Sequence, residues 1–80
     1  MTRDERAVLQ VLASKPGAFW SPFVVRDVLD AGGASIPETR LVRAIMDAYE
    51  TKRIEHSGGC GDFSVRITAA GRAALEDSGA

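Results

Sequence analysis

The stretch SPFVVRDVLDAGGASIPETRLVRAIMDAYETKRI, residues 21–54, decides the fold. Ser21-Pro22 opens a helix, because serine is a preferred cap and proline at the first helical position has no N–H to leave unpaired. Val24, Val25, Val28 and Leu29 then recur at helical spacing and are expected to line its buried face. Gly32-Gly33 closes it, since glycine takes a left-handed backbone conformation at little steric cost. Ser35-Ile36-Pro37-Glu38 has the spacing of a capping box with proline inside the first turn, which predicts the next helix over residues 36–52. So short a connection makes the two helices cross. On a helical wheel Leu41, Ala44, Ile45, Ala48 and Tyr49 gather on one side, the expected core. Thr39, Arg40, Arg43, Met46, Asp47 and Glu50 gather on the other.

Upstream, Thr2-Arg3-Asp4-Glu5 is a second capping box and starts a helix whose stripe is Val8, Leu9, Val11 and Leu12, running until Pro16-Gly17 stops it. Phe19-Trp20 follows as a short extended apolar piece, expected in the core. Downstream of Lys52 the period changes from helical to two. Phe63 to Ile67 alternates apolar and polar, as a strand with one wet face requires, and residues 53–56 can pair with it. The connector SGGCGD holds Gly58, Gly59 and Gly61, which suit a hairpin loop. Thr68 then caps a short alanine-rich helix with Ala70, Ala73, Ala74 and Leu75 available to pack. The expected class is α+β, mainly α, in a single domain over residues 1–80, with no internal repeat.

Helix, short strand, helix, tight turn, helix, two-stranded hairpin, helix is the order of a winged helix-turn-helix: a three-helix core, a hairpin wing and a short final helix. The chain resembles the small bacterial and archaeal winged-helix regulators of the MarR and PadR kind. Residues 21–54 look like their helix-turn-helix leading into the wing. ITAAGRAAL, residues 67–75, is similar to their recurring LTxxGRxxL after the wing. The resemblance implies a DNA-binding transcriptional regulator, acting as a dimer. It implies that the third helix lies in the major groove and that the hairpin over residues 53–67 rests on the DNA backbone.

Composition narrows the rest. With 45% hydrophobic and 26% charged residues, the chain has enough apolar material to build a core, so a disordered tail does not fit. No apolar run approaches the roughly 20 residues of a membrane span, and MTRDERAVLQ reads neither as a secretory nor as a transit peptide. The cytoplasm is the expected compartment, consistent with a single cysteine, Cys60. Basic and acidic side chains balance at four each over residues 1–34 and five each over residues 35–66, for a net charge of -1. Any basic footprint on DNA must therefore be local.

The candidate DNA contacts follow. Thr39, Arg40 and Arg43 occupy the outer face of the third helix, where arginine can pair with guanine and threonine can meet a phosphate or a thymine methyl. The same face is equally a solvated one, because Asp47 and Glu50 stand near enough to pair with the arginines. Ser21 and Arg26 could hold a phosphate at the start of the second helix, although Ser21 has a structural role as a cap. Lys52, Arg53, Ser64 and Arg66 form the charged outer edge of the hairpin, either clamping backbone or serving as its wet face. His56, Cys60 and Asp62 supply too few ligands to close a zinc site, and no nucleophile has an orienting partner. No metal, cofactor or enzymatic activity is expected. The alternative reading is a winged-helix adaptor that binds another protein and no DNA.

Overall fold

Thr2 begins the first helix through its side chain, whose Oγ1 accepts the Glu5 N–H at 3.1 Å. The reciprocal half of the capping box does not form. Glu5 is instead buried, 3% exposed, and its carboxylate turns toward Arg53. The computed structural model describes residues 2–58 and 63–78. Its elements are α1 (Arg3–Ala13), α2 (Pro22–Ala31), α3 (Glu38–Glu50), β1 (Ile54–Ser57), β2 (Ser64–Ile67) and α4 (Ala69–Ser78). Gly59, Cys60, Gly61 and Asp62 of the expected hairpin loop lie outside the described residues.

Helix α1 is the centre of the packing, touching α2, α3, α4 and β2. Val8, Leu9 and Leu12 are its fully buried residues, and Val11 joins them at the edge of the same cluster. Against them lie Val25 and Leu29 of α2 and Leu41, Ala44, Ile45 and Ala48 of α3. Ile54, Val65 and Ile67 close the core from the hairpin. At about 25 cal/mol per Å² of apolar surface removed from water, this single cluster is the main force holding the elements together.

Four sequence expectations are corrected. The capping box at residues 35–38 is not made: Pro37 is the N-cap of α3 and offers no side-chain bond, and the helix runs from Glu38 to Glu50 rather than over residues 36–52. Ile36 is buried in the core instead, which fixes the entry of the chain without a polar cap. Val24 and Val28 are largely exposed because α2 meets α1 along the line through Val25 and Leu29, leaving its flank uncovered. Tyr49 is also exposed. Its ring is drawn to His56 of β1, with centroids 5.1 Å apart. Phe19 is outside the core as well, lying under the Arg66 guanidinium at 4.5 Å.

The turns that end α2 and α3 close by the same device. At the end of α2, Gly33 adopts φ 78°, and the N–H groups of Gly33 and Ala34 bond the carbonyls of Asp30 and Leu29. At the end of α3 the corresponding left-handed residue is Lys52, with φ 60°. The Lys52 and Arg53 N–H groups bond the Tyr49 and Ala48 carbonyls at 3.0 and 2.9 Å.

The hairpin is antiparallel, in the register Ile54↔Ile67, Glu55↔Arg66, His56↔Val65 and Ser57↔Ser64. Trp20 adds a one-residue third strand on the far side of β2: its N–H donates to the Val65 carbonyl at 2.7 Å and its carbonyl accepts from the Val65 N–H at 2.8 Å. Thr68 then locks the two ends of this region together. Its hydroxyl donates to the Lys52 carbonyl at 2.7 Å and accepts the Gly71 N–H at 3.1 Å.

Candidate nucleic-acid interface

Three pieces of the fold meet on one side of the molecule: the start of α2, the outer face of α3 and the hairpin. Ser21 caps α2, accepting the Phe23 N–H at 3.3 Å, and so directs this helix N-terminus toward that side. Between the three pieces runs a groove of about 720 Å³, lined among others by Phe23, Arg26, Val42, Ile45 and Phe63. Its walls are mainly apolar, and the hydroxyls of Ser21, Ser57 and Ser64 stand at its edges.

The face of α3 divides into three strips when each residue is turned about 100° from the last. Thr39, Arg43, Met46 and Glu50 run down the middle. Glu38 and Val42 line the groove, Tyr49 on the same strip meets His56 of β1, and Arg40 and Asp47 lie on the opposite flank, from which Arg40 reaches α1. That placement decides the state of the two arginines. Arg40 reaches Asp4 at the start of α1 and holds it with both arms of the guanidinium, at 2.9 Å from Nε and 2.8 Å from Nη2. Arg43 forms no ion pair or hydrogen bond from its side chain among the described residues. Asp47 and Glu50, which share this helix, form no ion pair with either arginine.

The remaining candidates are distributed as follows. Arg26 lies over the Phe23 ring at 5.7 Å, with its charge open to the groove. Lys52 has no ion pair among the described residues and projects from the left-handed turn that follows α3. Arg53 is turned inward, its Nη1 donating to the buried Glu5 Oε2 at 2.9 Å. Arg66 pairs across the strands with Glu55 Oε1, through Nε at 2.6 Å and through Nη2. Ser64 donates to the Ser57 carbonyl at 3.5 Å, a long bond at the mouth of the groove. The structure thus brings Ser21, Arg26 and Ser64 to the groove, the two serines with their hydroxyls bonded to backbone, and leaves Arg43 and Lys52 without ion pairs among the described residues, while Arg40, Arg53 and Arg66 already hold carboxylates.

Sequence reasoning passed over the apolar members of this side. Phe23, Val42, Met46 and Phe63 are 65%, 48%, 56% and 46% exposed. Met46 was visible on the outer face of the wheel, yet periodicity marks such a residue only as outside the core and gives no reason for it to be apolar. His56 stands between two rings, 5.1 Å from Tyr49 and 5.6 Å from Phe63, and joins the hairpin to α3. Among the described residues no group of three or more metal-ligating side chains occurs, and no helix is long and apolar enough to cross a membrane.

No protein-family model matches the chain, and no curated protein matches it. Among solved structures it is similar to that of H. salinarum RosR, from crystals grown with NaBr, at a TM-score of 0.79 and 18% identity. The match covers 98% of this chain and 70% of that one. At this identity the likeness concerns the fold. The architecture is the winged helix-turn-helix: α+β, mainly helical, with the β1–β2 hairpin as its wing.

Proposed function

We propose that the chain is a sequence-specific double-stranded DNA-binding transcription regulator, with α3 in the major groove and the hairpin against the phosphate backbone. The observation that carries this reading is the outer strip of α3, where Thr39 and Arg43 have no side-chain partner among the described residues and project from a helix whose inner side is packed in the core. Arg26 and Lys52 flank that strip and would meet phosphates on either side of the groove. Ser21 would add the helix N-terminus of α2 to one of them. Ser64 and Arg66 are the wing contacts, and Arg40 becomes a further contact when its exposed pair with Asp4 exchanges for phosphate. Arg53, held against a buried carboxylate, serves the fold first. A dimer would place two such helices about 34–36 Å apart, one turn of the duplex.

The adaptor reading is favoured by one specific observation, the engagement of Arg40, Arg53 and Arg66 by Asp4, Glu5 and Glu55. Mobility-shift titration with random duplexes at low and rising salt separates the two readings. Binding that weakens steeply with salt, and that Arg43→Ala with Lys52→Ala abolishes, is the expected outcome. Absence of a shift with any duplex at low salt would remove the DNA reading and leave the adaptor.

A further inference from the structure

Resting on the DNA-binding reading, we propose that the cognate site is recognised chiefly through thymine 5-methyl groups, by Val42 and Met46, with Arg43 supplying a guanine contact between them. The argument begins with what the outer side of α3 lacks. From Glu38 to Glu50 it carries no asparagine or glutamine, the side chains that pair with the adenine edge in the major groove. An A·T pair can then be distinguished by this helix through its thymine side, whose methyl group is the apolar feature of that groove.

Apolar side chains are present where such a contact needs them. Val42 and Met46 are about half exposed and lie outside the core cluster, one turn apart on α3. Four residues of helix rise about 6 Å, close to two base-pair steps of roughly 3.4 Å each. Arg43 adjoins Val42 and faces the same way as Met46. Thr39, one turn before Arg43, brings a methyl group of its own.

The rim argues for a nucleic-acid occupant. Arg26 lines the groove with Val42 and Arg43 stands on the strip itself, both without a carboxylate partner among the described residues, while Glu38 and Glu50 lie at the two ends of α3, so the middle of the strip is complementary to a polyanion. A second copy docked here about a two-fold axis would bring this cationic patch against its own image.

The test uses the full chain and a duplex selected with it from a random pool. Each thymine in the selected core is replaced in turn by deoxyuridine, which removes the methyl and leaves the base pair intact, and affinity is read by fluorescence anisotropy at fixed salt. At one or two positions the loss is roughly fourfold, the worth of one buried carbon. The Val42→Ala, Met46→Ala variant binds the thymine and uracil duplexes alike while keeping the wild-type salt dependence. Because the uracil series changes only the DNA, it decides the matter even if the variant folds poorly. Equal affinity for the thymine and uracil duplexes overturns the methyl readout and leaves the DNA reading standing. Failure to select any duplex removes both, and the apolar strip is then a surface for a protein partner.

Discussion

Lys52 sits in the left-handed region, φ 60°, at the position that ends a helix most easily with glycine. An L-residue there gives up about 1–2 kcal/mol, of which glycine's greater chain entropy would return roughly 0.5–1. Lys52→Gly therefore raises stability by about 0.5–1 kcal/mol, seen as a higher urea midpoint with unchanged slope. The same change weakens DNA binding, since it removes a cation beside α3. A gain in stability with no loss of affinity would show that the lysine is not held there for its charge. Gly71 is the opposite case: a Cβ at that position would stand 2.2 Å from the Arg53 carbonyl oxygen and 2.8 Å from the Ile67 side chain, so α4 can pack only without one. Thr68 was legible in ITAAGRAAL because a cap is local chemistry, whereas the need for glycine at 71 arises from a tertiary approach to Arg53 that spacing does not show. Lys52 was not legible either, because backbone preference alone would have put glycine in its place.

Helix α3 is held to α1 at both ends by charge as well as by its apolar face. Asp4 takes Arg40 in its first turn, and Glu5 takes Arg53 just beyond its last. The two pairs have unequal weight. Arg40 is well exposed, so its pair contributes about 0–1 kcal/mol and can open toward a phosphate. Glu5 is buried, its Oε1 has no hydrogen-bond partner among the described residues, and Arg53 is the cation that neutralises it. Arg53→Ala strands that carboxylate and costs about 3–5 kcal/mol, whereas Glu5→Met combined with Arg53→Met recovers most of the loss, as thermal unfolding of the two variants checks. If Arg53→Ala proves as stable as wild type, Glu5 reaches water by a route the packing conceals. The pairing was illegible in the sequence because Glu5 and Arg53 are 48 positions apart, and the local pattern gave Glu5 to Thr2. The same blindness produced the capping box at residues 35–38. Spacing alone recognised Ser35 and Glu38, and the burial of Ile36 sets the actual start. What the periodicities did carry was the order of elements, the inner stripe of α3 apart from Tyr49, and the alternation of β2.

At the scale of the whole molecule, a net charge of -1 leaves little attraction to DNA from a distance, so binding has to come from a few local cations. With Arg26 and Lys52 as the unpaired cations assigned to phosphates, the plot of log affinity against log salt should have a slope of about -2 per chain, near -0.9 for each phosphate neutralised. A slope nearer -4 would mean that Arg40 and Arg66 leave Asp4 and Glu55 on binding. A slope near zero would contradict the phosphate contacts altogether. Steepness thus counts the internal ion pairs that open.

The backbone bridge between Trp20 and Val65 gives the molecule a built-in optical gauge. Trp20 is the chain's single tryptophan, half-buried, and its main chain is stitched to the middle of the wing immediately before the Ser21 cap. Ultraviolet emission from that one indole consequently tracks how firmly the wing is seated, without any dye having to be attached.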